Sequence, residues 1–373
     1  MEKRFLLIAS LAESLINFRG PLISAIQTRG FEVHVAAPDL AVESDLRRKL
    51  ESMGAIVHEI PLQRTGMRMS ADFVTLKCLF SLMMRVRPTH ILGYTIKPVI
   101  YGSIAGWLAR VPHRFALITG LGYAFQGDGK RSLLRAIVQR LYSVALTRVE
   151  KVFFQNPDDR ALFCDLGILG SNSCAVVVNG SGVDVSNFDV TPLPSGRVRF
   201  LLIARLLGDK GVREYEQAAR RIKLRYPDTV FQLVGWIDEN PDAISFAELD
   251  RWQADGTIEF MGRLSDVRPA IAGSSVYVLP SYREGTPRTV LEAMAMGRPI
   301  ITTDAPGCRE TVVDGENGFL IAVKSVDALE RAMLRLIEEP ELMEHMGLRS
   351  RQIAEAKYDV KKVNAFMVCE MGI

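Results

Sequence analysis

The chain has 373 residues, of which 48% are hydrophobic and 24% are charged, and its formal net charge is +3. This length provides for two domains, each with its own core, and the composition is that of a globular protein rather than a disordered or fibrous one. The five cysteines form no C-x-x-C pair, which fits a reducing compartment and argues against a structural zinc site. No apolar run reaches the roughly 18 residues of a membrane-spanning helix, so we expect a cytoplasmic protein.

Short apolar runs alternate with amphipathic segments through the first half of the chain. We predict strands at 4–9, 32–36, 55–60, 90–94, 114–118, 151–155 and 174–178, with helices that include 21–29, 71–87, 99–108 and 131–147. Continuous rather than alternating apolar runs indicate parallel strands that are covered by helices on both faces. The first run breaks at Glu13 and is therefore predicted as a buried strand, not as a signal peptide.

The first half is also strongly basic. From Lys77 to Lys151 there are twelve lysines and arginines against two acids, which indicates an anionic partner for the first domain. The predicted helix 131–147 carries both apolar and cationic residues, and it has two interpretations: a helix that lies on an anionic membrane leaflet, or a core helix with a solvated basic face. Nucleic acid is not expected, because the sequence has no aromatic platform or reading motif.

Two prolines and a glycine within 189–196 predict a linker. A second series of strands follows it, at 198–204, 230–234, 258–261, 276–279, 299–302 and 318–321. The fold class is therefore α/β, with two Rossmann-like, doubly wound domains whose ligand crevices lie at the carboxyl ends of the strands and face a central cleft. We expect one domain at 1–188 together with a C-terminal helix at about 356–373, and the other at 196–355.

Two glutamates eight positions apart are the most informative feature of the second half. Glu284 falls in the turn after the strand at 276–279, and Glu292 lies about one turn inside the next helix. Free backbone N–H groups at the start of that helix bind phosphate well. One carboxylate can accept hydroxyls from a sugar and the other from a ribose, with a diphosphate between them, which suits a nucleotide sugar.

Two other strand ends of the second domain carry polar residues. Arg205 offers a planar fork and Lys210 a point charge, both suited to a diphosphate, although either residue alone would be interpreted as a solvated cation on a turn. The segment 262–266 follows another strand and is interpreted both as a helix-capping turn and as part of the crevice rim.

These motifs together resemble those of a known family. Ala204-Arg-Leu-Leu-x-x-Lys-Gly211, Gly262-Arg-Leu and Glu284-Gly-x-Pro…Glu292-Ala-Met-Ala-x-Gly-x-Pro299 are similar to the retaining glycosyltransferases of family 4, which have the GT-B architecture. Asn179-Gly-Ser-Gly-Val-Asp184 resembles the interdomain segment of that family, so the resemblance covers essentially the whole chain. Segments 17–21, 93–102 and 118–125 resemble a branch of N-acetylgalactosaminyl- and hexosaminyltransferases that extend sugars on a polyprenyl diphosphate carrier.

The resemblance implies roles for individual residues. Glu284 would contact the donor sugar and Glu292 the ribose, while Arg205 and Lys210 would neutralise the departing diphosphate; the catalytic set is Arg205, Lys210 and Glu284. The other implied donor-binding residues are Gly120, Gly122, Gly262, Arg263, Gly285, Thr286, Pro287, Arg288 and Thr289. Gly120 and Gly122 are equally well explained by a tight turn. The candidates for binding the acceptor are Asn17, Arg19, Arg64 and Lys97.

A general base is not identified. Many family members carry a histidine near 119–125, and none of the five histidines of this chain falls there. We therefore expect a phosphate oxygen of the donor to accept the proton of the acceptor. The sequence has no D-x-D triplet, so neither a metal nor another cofactor is expected.

The sequence thus predicts a retaining glycosyltransferase. It would move an N-acetylhexosamine, of the GalNAc or GlcNAc type, from a UDP-sugar to an undecaprenyl-diphosphate-linked saccharide in bacterial surface-glycan or glycoprotein assembly. It would act at the cytoplasmic face of the inner membrane as a peripheral protein. Two alternatives stay open: a UDP-sugar 2-epimerase of similar architecture, and a non-catalytic, membrane-bound regulatory partner.

Overall fold

The computed structural model describes residues 3–63, 68–121, 132–170, 173–238, 240 and 242–373. The chain divides into two compact units, Met1–Ser181 with Lys361–Ile373, and Gly182–Val360. The division falls at 181/182 and 360/361, whereas the sequence suggested 188 and about 356. The predicted linker 189–196 therefore lies within the second unit.

The first unit contains a parallel sheet of seven strands. They are β1 Arg4–Ile8, β2 Glu32–Ala37, β3 Ile56–Glu59, β4 His90–Tyr94, β5 His113–Ile118, β6 Lys151–Phe154 and β7 Cys174–Val177. The order in the sheet is β3-β2-β1-β4-β5-β6-β7. The helices of this unit are α1 Ala12–Asn17, α2 Gly20–Gln27, α3 Asp45–Ser52, α4 Met69–Val86, α5 Ile96–Leu108, α6 Ser132–Leu146 and α7 Pro157–Asp165.

The second unit contains a parallel sheet of six strands. They are β8 Arg199–Ile203, β9 Val230–Val234, β10 Glu259–Phe260, β11 Val276–Leu279, β12 Ile300–Thr303 and β13 Gly318–Ile321, in the order β10-β9-β8-β11-β12-β13. Its helices are α8 Val212–Arg225, α9 Phe246–Ala254, α10 Arg268–Ala272, α11 Arg288–Ala295, α12 Val326–Glu338 and α13 Pro340–Ile353. The last helix of the chain, α14 Val360–Glu370, returns to the first unit, where Met367 and Val368 join the core.

Both sheets are covered on both faces, because the strands β1 and β8 at their centres are apolar at every position after the first residue. In β1, Leu6 and Ile8 belong to one core and Phe5 and Leu7 to the other. In β8, Phe200 and Leu202 face one core while Leu201 and Ile203 face the other. This is the pattern that continuous apolar runs predict for parallel strands between two helical layers.

The strand order of each sheet reverses once, and this reversal locates the ligand edge. In the first sheet, β2 and β3 lie on one side of β1, and the strands from β4 onward lie on its other side. In the second sheet, the order reverses in the same way between β8 and β11. Ligands of such sheets bind at the carboxyl ends of the two strands that flank the reversal. The loops after β8 and β11 carry Lys210 and Glu284, so the predicted donor residues lie at this point.

All thirteen strands predicted from the sequence are present in the structure, and no predicted bound differs from the observed one by more than one residue. The helices predicted at 21–29, 71–87, 99–108 and 131–147 correspond to α2, α4, α5 and α6. Within the described residues, no helix combines the length and the apolar character that a membrane crossing requires.

Candidate functional site

The loop after β8 is shaped by a glycine. Residues Gly208–Lys210 form one turn of 3₁₀ helix, and Gly211 then adopts a left-handed conformation with φ of 70° before α8 begins. A Cβ atom at Gly211 would lie 2.2 Å from the carbonyl oxygen of Pro280, which follows β11. Only glycine allows both the backbone angle and this close approach, which brings the turn that carries Lys210 against the end of β11.

Lys210 and Glu284 form an ion pair. The Lys210 ammonium lies 2.5 Å from Glu284 Oε1, and the two side chains are 13% and 18% exposed. The hydroxyl of Ser281 lies 2.8 Å from the same oxygen. A charge-assisted pair with so little exposure is stronger than a surface ion pair, and it fixes the carboxylate at the mouth of the loop.

The backbone of Glu284 is fixed by the loop after β12. The Glu284 amide donates to the carbonyl oxygen of Pro306 at 2.9 Å. Gly307 has φ of 81°, and a Cβ atom there would lie 2.2 Å from the Glu284 carbonyl oxygen. The glutamate is therefore held between two loops of the same sheet edge.

Glu292 lies one turn inside α11, where the sequence placed it. Its side chain is buried and forms an ion pair with Arg288, with Nε 2.8 Å from Oε1. Burial raises the pKa of Glu292 above the usual range of a glutamate, against the opposing effect of Arg288. The start of α11 is held against the sheet, because the Tyr277 hydroxyl of β11 lies 2.6 Å from Thr289 Oγ1 and 3.1 Å from the carbonyl oxygen of Ile203.

Arg205 lies at the end of β8, as predicted, and its guanidinium contacts Asp238 at 3.0 Å. Asp238 was not predicted from the sequence as a site residue. Its distance of 33 positions from Arg205 gives no local signal, although both residues follow neighbouring strands of the sheet.

Gly262 and Arg263 follow β10 and contact the end of β9. The Gly235 amide donates to the Gly262 carbonyl at 2.9 Å, and the Arg263 guanidinium lies 4.7 Å from the centre of the Trp236 ring. Trp236 was not predicted from the sequence as a site residue, and its exposed side chain stacks on a predicted donor-binding residue. A cation–π contact of this kind orients the guanidinium.

The acceptor residues predicted in the first unit, as far as the structure describes them, lie on α1, just after it and on α5. Asn17 is the exposed last residue of α1, and Arg19 is buried with its guanidinium 5.1 Å from the ring centre of Tyr94. Lys97 lies in the first turn of α5 and forms a nearly buried ion pair with Asp72 at 2.8 Å.

Gly120 adopts φ of 135° after β5, whereas Arg64 and Gly122 lie outside the described residues. The roles proposed for these residues stay predictions.

Among residues that the structure describes, no group of three or more histidine, cysteine, aspartate or glutamate side chains is arranged to hold a metal ion.

Two family models cover most of the chain. A model described as "Glycosyl transferase 4-like" matches residues 5–156, and one described as "Glycosyl transferases group 1" matches residues 197–339. The first match falls in the first unit, and the second contains Arg205, Lys210, Glu284 and Glu292.

Known proteins are similar over three quarters of the chain or more. The N,N'-diacetylbacillosaminyl-diphospho-undecaprenol alpha-1,3-N-acetylgalactosaminyltransferase of Campylobacter jejuni is 29% identical over 363 residues, which covers 93% of this chain and 92% of the relative. The UDP-Gal:alpha-D-GlcNAc-diphosphoundecaprenol alpha-1,3-galactosyltransferase of Escherichia coli is 25% identical, with coverages of 75% and 74%. Among solved structures, Anabaena HepE in complex with UDP superposes with a TM-score of 0.77 at 17% identity, and both chains are covered completely.

The two matching domains, their order along the chain and the shared fold lead to one assignment: this chain belongs to the GT-B glycosyltransferases of the group 1 and family 4 type, and it is a hexosyltransferase.

Proposed function

We propose that this enzyme transfers an N-acetylhexosamine from a UDP-sugar to an undecaprenyl-diphosphate-linked saccharide, with retention of the anomeric configuration. The observation that carries the donor half is the pairing of Lys210 with Glu284 at the strand reversal, with Glu292 on the helix that follows. A cation for a diphosphate and two carboxylates for hydroxyl groups thus lie on adjoining elements of one sheet edge.

The donor residues divide the nucleotide sugar among them. Glu284 accepts hydroxyl groups of the sugar, Glu292 accepts those of the ribose, and Arg205 and Lys210 contact the diphosphate. Because negative charge grows on the leaving diphosphate in the transition state, preorganised cations there lower the barrier. The amide groups at the start of α11 add a favourable field for the phosphates.

The reaction breaks the bond between the anomeric carbon and the diphosphate oxygen. A hydroxyl oxygen of the acceptor forms the new bond on the same face of the sugar, and its proton passes to the departing phosphate oxygen. No histidine, metal or other cofactor enters this scheme. Both undecaprenol-linked relatives are named for alpha-linked products, and a UDP-α-sugar that yields an α-linked product has retained its configuration.

The proposed acceptor follows from the relatives and from the charge of the first unit. The two relatives are named for diphospho-undecaprenol acceptors, and one of them transfers N-acetylgalactosamine. The exposed face of α6 combines Ile137 and Val144 with Arg140, which suits an anionic bilayer surface. We therefore place the enzyme peripherally at the cytoplasmic face of the inner membrane of a bacterium, in the assembly of a surface or glycoprotein glycan.

The test is label transfer from a panel of radiolabelled UDP-sugars to an undecaprenyl-diphosphate-linked saccharide. We expect one UDP-N-acetylhexosamine to place label in the organic-extractable lipid. Conversion of a UDP-sugar to its 2-epimer without an acceptor would instead favour the epimerase. Membrane binding without consumption of any UDP-, GDP- or dTDP-sugar would favour the regulatory partner. Either result would overturn the proposal.

A further inference from the structure

We propose that Ser281 is a positioning residue that orients the Glu284 carboxylate toward the donor sugar. This inference rests on the proposed function and adds to it a residue that does not itself touch the substrate. Ser281 lies two positions after β11 and is completely buried.

The Ser281 hydroxyl has three acceptors within reach. Glu284 Oε1 lies 2.8 Å away, the Asp209 carbonyl oxygen 3.2 Å and the Arg283 carbonyl oxygen 3.4 Å. A hydroxyl has one proton to donate, and a charged acceptor at the shortest distance forms the strongest bond. The proton of Ser281 therefore points to the carboxylate.

The backbone at Ser281 is held in place on all sides. The buried Thr303 hydroxyl donates to the Ser281 carbonyl oxygen, and the next amide, that of Tyr282, donates to the Asp209 carbonyl oxygen at 2.8 Å. Beyond it, the Glu284 amide is bonded to Pro306. The donor hydroxyl and the backbone of the carboxylate that it orients are thus fixed independently of each other.

Lys210 and Ser281 both donate a hydrogen bond to Glu284 Oε1, and the diphosphate of the UDP-sugar affects these two contacts differently. Lys210 is the cation that we assign to the diphosphate, so the arrival of the donor divides its interactions between phosphate and carboxylate. Ser281 is completely buried, so we expect its hydroxyl to stay on the carboxylate when the diphosphate binds. It is therefore the contact that keeps the carboxylate in one rotamer while the sugar binds and the bond breaks.

The first experiment compares affinities for UDP-sugar and for UDP alone by calorimetry, together with the turnover of sugar transfer. In Ser281→Ala we expect kcat/KM for the UDP-sugar to fall by about 10–100-fold, which corresponds to the loss of a hydrogen bond to a charged group. The affinity for UDP should stay within about twofold, because UDP lacks the sugar that Glu284 contacts. A merely structural role would weaken UDP binding and lower the Tm as well.

The matched control is Ser274→Ala. Ser274 is equally buried and donates to the Ile271 carbonyl oxygen at 2.8 Å, but it precedes β11, whereas Glu284 follows that strand. We expect this variant to keep the activity and the discrimination between UDP-sugar and UDP.

A double-mutant cycle then asks whether Ser281 acts through Glu284. In a Glu284→Gln background, Ser281→Ala should lower the preference for UDP-sugar over UDP by less than about threefold, since the charge that Ser281 orients is already absent. An equal loss in both backgrounds would overturn the inference alone. Failure of the unsubstituted enzyme to bind any UDP-sugar would overturn the proposed function and this inference with it.

Discussion

Glu284 and Glu292 occupy different surroundings, and this difference fits the different tasks that we propose for them. Glu284 is partly open to solvent and receives Lys210 and Ser281 on one oxygen. Glu292 is buried beside Arg288, and burial raises its pKa. A partly open carboxylate next to a cation suits a reacting sugar, whereas a buried one suits a fixed ribose.

Replacement of Lys210 by alanine should lower kcat by about 10²–10³-fold, because a preorganised charge at the leaving group is lost. The measurement is the initial rate of sugar transfer at saturating donor. Lys223→Ala, on the helix that follows Lys210, is the matched control and should retain the rate. Equal rates for the two variants would contradict the assignment of Lys210.

At the scale of elements, the predicted linker is fastened to the second unit by a buried arginine. Arg298 has no exposed surface, and its guanidinium donates to the Ile271 carbonyl at 3.0 Å, the Pro192 carbonyl at 3.1 Å and the Thr191 hydroxyl. Burial lowers the pKa of Arg298 to about 10, so the charge is retained at neutral pH. The segment 189–196 is therefore held against the second unit by hydrogen bonds and is not free in solvent.

Arg298→Met should destabilise the second unit by about 2–4 kcal/mol, because several buried acceptors lose their donor. Thermal unfolding measures the effect. Arg331→Met, at an exposed position of α12, serves as the control and should change the Tm little. An unchanged Tm in Arg298→Met would show that the attachment of segment 189–196 does not depend on the guanidinium.

Two histidines of the first sheet make stability depend on pH. Burial lowers the pKa of His58 and of His90 to about 4, and His90 stacks on His113 with ring centres 4.4 Å apart. Both folded-state pKa values lie below the value of about 6.5 in the unfolded chain, so the contribution to stability is complete above pH 6.5 and is lost as the pH falls toward 4.

The Tm of the enzyme should therefore decline between pH 6.5 and 4.5, before most carboxylates are protonated. His90→Phe, whose ring can pack near Phe5 and Phe31, should flatten this decline, and His345→Gln at an exposed position should not. Identical pH profiles of Tm for the wild type and His90→Phe would contradict the explanation.

At the scale of the whole molecule, the strands of both sheets and the order of the predicted donor motifs along the chain could be predicted from the sequence. Apolar runs such as those of β1 and β8 have one structural solution, because only a sheet covered on both faces buries them. The relative positions of interacting side chains were not predictable from the sequence. The pairing of Lys97 with Asp72, and the convergence of Ser281 and Lys210 on Glu284, depend on side-chain geometry that no local pattern encodes.

The first unit should bind anionic vesicles through exposed apolar and basic helix faces. On α4, Phe73 is 67% exposed and lies on the same face as Met84 and Lys77. Phe73→Asp should weaken flotation with vesicles that contain phosphatidylglycerol, and added salt should weaken it further. Leu224→Asp, at an 87% exposed position of the second unit, is the control. Equal flotation of both variants would exclude α4 from the membrane surface.

The most direct test of the account is the rate at which the purified wild type and Glu284→Gln transfer label from the preferred UDP-sugar to an undecaprenyl-diphosphate-linked saccharide. We predict labelled lipid with the wild type and at least a 10²-fold lower rate, of order 3 kcal/mol in barrier height, with the variant. UDP affinity and Tm should be the same in both proteins. Transfer at the wild-type rate by a folded Glu284→Gln protein would contradict the central assignment.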